Sequence, residues 1–349
     1  MNTLANYTIT APSTAREALV KIEEQGGAIK TLFVLTDDGR LTGTITDGDL
    51  RRGLLRGLEL SAPVTEFMNR NFRFLRHGKF SVTDIRELRG RQILLVPVLD
   101  DDDRLLRVAD LRADRSVLPL DAVIMAGGRG ERLRPLTDTT PKPLLVVGDK
   151  PIIEHNVDRL IAYGVRNMSI TVKYLGEQLE AFFGDGTAKG ARIRYTRETA
   201  PLGTLGALAL VDGLEHDTVL VMNSDLLTDI DFEDFFATFS ASGADMSIAS
   251  VPYTVSVPYA VLEVDDERIL SFKEKPTYTY YSNGGIYLIK RSLIERIPKG
   301  EFYNATDLME ALIADGRKVG YYPLLGYWLD VGRHEDYRKA QEDIKHLTL

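Results

Sequence analysis

The chain has 349 residues, which suits two average domains better than one, and its 44% apolar and 27% charged residues are the proportions of an ordinary globular protein. A net charge of -8 and an isoelectric point near 5.3 argue against nucleic acid as a partner, because phosphate backbones are held by basic surfaces. The absence of cysteine excludes disulfides, thiolate catalysis and cysteine-based zinc sites, and the histidines at 77, 155, 216, 334 and 346 show no metal-ligand spacing. Met1 to Pro12 lacks the basic-then-apolar pattern of a signal peptide. The longest apolar runs, such as Ile93–Leu99, are far short of a membrane span, so a cytoplasmic protein without a membrane partner is the expectation.

In chain order, Ser13–Glu24 reads as a helix capped by Ser13, with Ala15, Ala18, Leu19 and Ile22 on its apolar face. A strand over Thr31–Leu35, the turn Asp37-Asp38-Gly39 and a return over Leu41–Thr46 make a hairpin, and Asp49-Leu50-Arg51-Arg52 opens another helix. A second copy follows, with a strand at Ile93–Leu99, a turn at Asp100–Asp103 and a return at Leu105–Val108. Val34-Leu35 with Arg40-Leu41 aligns on Val98-Leu99 with Arg104-Leu105. A repeat of this kind predicts two units packed on each other, neither burying its apolar face alone.

These units resemble a tandem pair of cystathionine-β-synthase-type (CBS) domains, about residues 1–60 and 61–116. The carrying segment is Gly43-Thr44-Ile45-Thr46-Asp47-Gly48-Asp49, which has the glycine followed by Thr-x-x-Asp at a strand end. The resemblance implies that Thr46 and Asp49 hold the ribose of a regulatory purine nucleotide. The second copy has Arg107-Val108-Ala109-Asp110 and lacks the threonine, so at most one intact site is implied. A packing or oligomerisation element without a ligand is the alternative.

The charged stretch Arg112–Arg115 and Pro119 end this region, and the catalytic domain is expected over 117–349. Strands are expected at Ala122–Met125, Ser169–Val172, Val219–Met222, Met246–Val251 and Ile286–Ile289. Helices are expected at Pro151–Tyr163, Gly176–Phe183, Thr204–Val211, Phe232–Ser242 and Asp307–Ala314. This alternation predicts an α/β fold with a Rossmann-like, doubly wound, mostly parallel sheet, and ligands of such sheets bind beyond the carboxyl ends of the strands.

The first of these strands runs into Ala126-Gly127-Gly128-Arg129-Gly130-Glu131-Arg132-Leu133, where glycines let backbone amides approach phosphate oxygens. A P-loop would end in Gly-Lys-Ser/Thr, and a dinucleotide fingerprint would need a glycine where Leu133 stands, so a nicotinamide dehydrogenase is excluded. Arg134-Pro135-Leu136-Thr137 and Pro141-Lys142-Pro143-Leu144-Leu145 follow, and they place two cations, Arg132 and Lys142, near the glycine pocket.

The segment Val123 to Ile153 resembles the sugar-1-phosphate nucleotidyltransferases, the thymidylyl-, uridylyl- and guanylyltransferases. It matches Gly-Gly-x-Gly-x-Arg-Leu-x-Pro-Leu-Thr and then Pro-Lys-Pro in full. The resemblance implies a nucleoside triphosphate cradled by Ala126, Gly127, Gly128 and Gly130. Arg132 would neutralise the triphosphate and Lys142 would hold the phosphates at the reacting centre. Glu198-Thr199-Ala200-Pro201-Leu202-Gly203-Thr204 matches the base-binding loop, in which Gly203 and Thr204 face the nucleotide. A carboxylate at 198 offers acceptors only, which complements the two donors on guanine's Watson–Crick edge and repels the carbonyls of uracil or thymine. GTP is therefore favoured, with UTP or dTTP as the alternative.

Asn223-Ser224-Asp225 and Trp328-Leu329-Asp330-Val331-Gly332 match the family's two metal-bearing segments, which implies Mg²⁺ on Asp225 and Asp330. Phe272-Lys273-Glu274-Lys275-Pro276 matches its Glu-Lys-Pro element, with Glu274 on sugar hydroxyls and Lys275 on the sugar phosphate. Asn283 and Gly284 are further sugar contacts, while Tyr259-Ala260 stands where some relatives have a glycine, leaving the sugar open. CBS repeats ahead of such a transferase are similar to the architecture of bacterial amino-sugar-1-phosphate guanylyltransferases. The reaction expected is in-line displacement of pyrophosphate, with Arg132, Lys142, Asp225 and Lys275 as the catalytic set and a homo-oligomer as the working state. A catalytically silent nucleotide-sugar sensor is the rival reading.

Overall fold

The computed structural model describes residues 4–25 and 30–347. Two compact units are present, one comprising Met1–Leu120 with Leu160–Arg166 and Ala188–Gly190, the other Asp121–Arg159, Asn167–Thr187 and Ala191–Leu349. None of the described helices is long and apolar enough to cross a membrane.

In the first unit the repeat is visible residue by residue. Thr8–Thr10, Thr31–Leu35 and Leu41–Thr46 form one three-stranded sheet, and Leu75–Arg76, Leu95–Leu99 and Leu105–Asp110 form another, each with one parallel and one antiparallel pairing. The register slips between Val34 and Leu35 in one hairpin and between Val98 and Leu99 in the other, the positions aligned in the sequence. The hairpins meet at an antiparallel bridge between Arg40 and Arg104, where the Leu41 amide donates to the Asp103 carbonyl (3.0 Å) and the Leu105 amide to the Gly39 carbonyl (3.2 Å). Phe33, Leu41, Leu95 and Leu99 form a core shared by both copies, so each covers the other's apolar face.

Helix starts follow capping chemistry. The first helix is Ala15–Glu24, and its cap is Thr14 rather than Ser13, because Glu17 stands three residues after Thr14 and closes a reciprocal box. The Ser13 hydroxyl bonds Thr10 instead, at 2.9 Å. Ser81 and Asp84 cap Val82–Gly90 in the second copy in the same way.

The second unit is built on a seven-stranded sheet in the order Arg192–Arg197, Asn167–Val172, Asp121–Ala126, Thr218–Asn223, Thr277–Lys290, Met246–Ser256 and Val319–Pro323. Only Thr277–Lys290 runs against its neighbours. Successive strands leave Asp121–Ala126 on opposite sides, Asn167–Val172 to one and Thr218–Asn223 to the other. The switch point therefore lies at the carboxyl end of Asp121–Ala126, where Gly127 begins. A core of Val123, Val221, Ile248, Ile289, Leu308 and their neighbours fills one face of the sheet.

Two expectations are corrected. Thr204–Val211 forms only a short 3₁₀ turn at Gly206–Leu210, because the Leu205 and Gly206 amides are both drawn to the Tyr303 carbonyl. The strands expected at Met246–Val251 and Ile286–Ile289 run on to Ser256 and back to Thr277, making a two-stranded ribbon that carries the hairpin Val261–Asp265/Arg268–Lys273.

Candidate active site

A cavity of about 450 Å³ opens beyond the strand Asp121–Ala126, lined among others by Gly127, Gly128, Lys142, Glu198, Gly203 and Asp225. A second, of about 310 Å³, shares Thr204 and Asn223 with it and is lined by Asn283, Gly284, Trp328 and Asp330. Sequence-distant motifs thus meet at one strand end.

Local pairing explains the convergence. The Ser224 amide donates to the Met125 carbonyl (3.1 Å), tying the turn after Thr218–Asn223 to the end of the neighbouring strand. Leu226–Thr228 then pairs antiparallel with Trp328–Asp330, setting Leu226 opposite Asp330, and the Val331 amide donates to the Asp225 carbonyl (3.0 Å). This small ladder brings the two aspartates together. Lys142, in the turn Lys142–Leu144, is only 8% exposed. Its ammonium bonds Asp225 Oδ2 and lies 3.8 Å from Asp330 Oδ1.

Asp225 Oδ1 and Asp330 Oδ1 are both buried without a hydrogen-bond partner. Burial, then the charge of Asp225, hold the Asp330 carboxyl above its ordinary range, while Lys142 and Arg132 pull it down. Buried carboxylate oxygens are costly when unpartnered. Two of them beside a single ammonium fit a hard divalent cation that takes few protein oxygens and completes its shell with water and phosphate.

At the other end of the larger cavity, the Glu198 amide donates to the Val172 carbonyl at 2.9 Å. Burial raises the Glu198 carboxyl above its usual value, and hydrogen bonds from the Thr171 hydroxyl and the Leu202 amide offset part of that rise. A Cβ at Gly127 would come within 2.3 Å of Glu198 Oε1, so a larger residue there would displace that carboxylate. Gly203 has φ +77°, and a Cβ there would sit 2.7 Å from the Tyr303 carbonyl oxygen, so both its backbone and its surroundings demand glycine.

Several expected residues lie outside the lining of these two cavities. Gly130 and Arg132 do not line the larger cavity, whereas Arg129 does, and Arg132 acts on Asp330. Ala126 ends the strand, its amide donating to the Thr171 hydroxyl at 3.3 Å. Glu274 and Lys275 are exposed on the ribbon and line neither cavity. In the front unit, Thr46 and Asp49 form a capping box on the helix Asp47–Leu55, and Asp49 also accepts from Arg52 at 2.6 Å. Sequence reading did not find Lys173, Phe302, Asn304 and Trp328 as lining residues. Trp328 carried a signal, as the one tryptophan within the Asp330 motif, and its indole donates to the Gly284 carbonyl at 2.8 Å.

The family description "Nucleotidyl transferase" matches residues 121–346, and "CBS domain" matches residues 3–56. The chain is 36% identical over 231 residues to a mannose-1-phosphate guanylyltransferase of Mycobacterium tuberculosis, covering 64% of each chain. It is 35% identical over 227 residues to the mannose-1-phosphate guanyltransferase of Schizosaccharomyces pombe, covering 62% of each. The match therefore spans less than two thirds of these relatives' own length. Among solved structures, a putative glucose-1-phosphate thymidylyltransferase from Bacillus anthracis in complex with a sucrose superposes with a TM-score of 0.53 at 26% identity, covering 66% of this chain and 97% of that one. HddC from Yersinia pseudotuberculosis gives 0.51 at 27% identity, covering 64% and 99%. The carboxylate pair, the glycine-lined strand end and these matches have one reading: the chain belongs to the nucleotidyl transferase family and carries a CBS domain ahead of the region that matches that family.

Proposed function

We propose that this protein transfers a nucleotidyl group from a nucleoside triphosphate, GTP by preference, to a sugar 1-phosphate, releasing pyrophosphate. The observation that carries the reading is the convergence of Asp225 and Asp330 beside Lys142 at the mouth of the glycine-lined cavity, each aspartate with one buried oxygen lacking a partner. Asp225 and Asp330 would hold Mg²⁺, which when bound supplies positive charge next to the α-phosphate.

The attacking phosphate oxygen is already ionised, so no protein nucleophile or general base is needed. The protein's work is to gather two polyanions and to stabilise charge that moves onto pyrophosphate. Lys142 stands where it can meet the triphosphate, with Gly127 and Gly128 presenting backbone. Arg132 adds positive potential from the Asp330 side. Glu198, within the same cavity, would accept from the ring N–H and amino group of guanine. The smaller cavity, with Asn283, Gly284 and Trp328, would take the sugar. Glu274 and Lys275 would reach the sugar phosphate on closure of the ribbon. The names of the relatives make mannose 1-phosphate the first acceptor to try. Both substrates are phosphorylated metabolites, which supports a cytoplasmic setting. Residues 61–116 would be a second CBS domain, giving a front module that responds to a purine nucleotide near Thr46 and Asp49.

The test is a matrix of GTP, UTP, dTTP and ATP against sugar 1-phosphates with Mg²⁺, read by product mass and pyrophosphate release. A GDP-sugar is the expected product. Binding of nucleotide without pyrophosphate release from any pair would leave a sensor rather than an enzyme.

A further inference from the structure

The strands at the Glu198 end of the larger cavity deliver a second charged residue, one that the reaction described above leaves unused. Asn167–Val172 and Arg192–Arg197 pair in parallel, from Asn167 against Arg192 to Val172 against Arg197. One residue past that register Lys173 stands beside Glu198, and both line the cavity. Partners in register on neighbouring parallel strands share a face of the sheet, with the strands about 4.8 Å apart. Thr171, two residues before Lys173 and so on its face, already reaches Glu198 with its hydroxyl. The backbone is fixed on either side of Lys173. The Val172 carbonyl accepts from the Glu198 amide at 2.9 Å, and the Tyr174 hydroxyl donates to the Thr137 and Asp138 carbonyls at 3.1 and 3.0 Å. The Lys173 ammonium makes no hydrogen bond or ion pair among the described residues, so it and the Glu198 carboxylate stand apart rather than closing on each other. The other lysine of the cavity, Lys142, is held at the opposite end by Asp225.

We propose that Lys173 and Glu198 together read the Watson–Crick edge of guanine, Lys173 donating to O6 and Glu198 accepting from N1–H and the 2-amino group. The assignment rests on the nucleotidyl-transfer reading above and adds the residue that selects among purines. Along that edge guanine presents an acceptor, a donor and a donor. A lysine ammonium only donates and a carboxylate only accepts, so the pair matches the whole edge in one orientation. The two residues refuse different bases. Adenine carries an amino group at position 6 and a bare N1, which sets donor against donor at Lys173 and acceptor against acceptor at Glu198. Uracil offers Lys173 a carbonyl and Glu198 a ring N–H, and it fails on its second carbonyl, which falls against the carboxylate. Lys173 therefore bears on the choice between GTP and ATP and not on that between GTP and UTP, whereas Glu198 bears on both. Discrimination of this kind is steep because the wrong base leaves a charged group of the site unpaired.

The experiment compares GTP, ITP, UTP and ATP on the full chain with Mg²⁺, by competition in the transfer assay and by calorimetric binding without sugar phosphate. Lys173→Met keeps the length of the side chain and removes its charge. It should lower the GTP to ATP ratio by about ten- to a hundred-fold, the loss of one hydrogen bond from a charged group, in KM and dissociation constant rather than in kcat. The GTP to UTP and GTP to ITP ratios should each move by less than about three-fold, because uracil and hypoxanthine present the same carbonyl to Lys173 and lose the same bond. Lys173→Gln restores a neutral donor and should recover part of the GTP to ATP ratio. A lysine that served the phosphates would weaken all four nucleotides alike, and a GTP to ATP ratio left unchanged by Lys173→Met would overturn the proposal. A wild-type chain that takes ATP as well as GTP would overturn it too. If no pair of substrates releases pyrophosphate, the transfer reading fails on its own, and the calorimetric ratios still decide what Lys173 reads.

Discussion

Replacing Asp225 by asparagine separates chemistry from folding. In the native site, Asp225 Oδ2 accepts from the buried ammonium of Lys142, and Oδ1 has no partner. Asparagine keeps the shape and one oxygen for Lys142 but removes the charge. A hydrogen bond to a charged group contributes about 1.5–3 kcal/mol and a neutral one about 0.5–1.5, so the exchange costs on the order of 1 kcal/mol. Against this, Asp330 no longer faces a like charge, and Lys142 retains Asp330 at 3.8 Å. The two effects oppose each other, which limits the change in melting temperature to about 2–4 °C. Catalysis has no such compensation. Losing one preorganised electrostatic partner costs about 10²–10³ in kcat, equal to roughly 2.7–4 kcal/mol. Pyrophosphate release followed across a Mg²⁺ titration, with a thermal melt of the same sample, reads both quantities. Turnover within about three-fold of wild type at the normal Mg²⁺ requirement would refute the assignment.

Glu198→Gln should lower kcat/KM for GTP relative to UTP by about ten- to a hundred-fold, through loss of one charge-assisted acceptor, as measured by competition between the two nucleotides. Its stability effect has the opposite sign. Burial raises the Glu198 carboxyl, so the folded state holds its proton longer than the unfolded one, and stability falls as pH rises from the ordinary 4.5 through the raised value. Denaturant titrations at acid and neutral pH should show the glutamine variant spared that loss. Gly203→Ala forces a side chain onto φ +77° and against the Tyr303 carbonyl, costing about 1–3 kcal/mol, and a melt lowered by less than about 1 °C would contradict it. Thr46→Ala removes the cap of Asp47–Leu55 and should cost about 1 kcal/mol in urea titration, while calorimetry with purine nucleotides on the wild-type chain reports whether the module binds any.

What was legible in the sequence was chemistry confined to strand ends. Asn223-Ser224-Asp225 follows an apolar run, so its place beyond a strand is a local fact, and Gly127 follows another. That these ends lie side by side is set by the parallel pairing of Val221 with Val123, which alternation of strands and helices implies. Asp330 differs, because its position depends on the short ladder with Leu226–Thr228, too small to leave a periodic signal, and only its motif pointed to it. Where long-range contacts decide, pattern reading fails. Gly206 ends the expected helix because its amide answers to Tyr303, and a Cβ at 206 would lie 2.7 Å from the Glu301 carbonyl oxygen. Arg192–Arg197 is a strand despite three arginines, because it is the sheet's edge and needs an apolar neighbour on one side only. The ribbon from Ser250 to Asn283 buries little, and the strands read from the sequence stopped at Val251 and resumed only at Ile286, because residues that cover no core leave no contrast between an inner and an outer face.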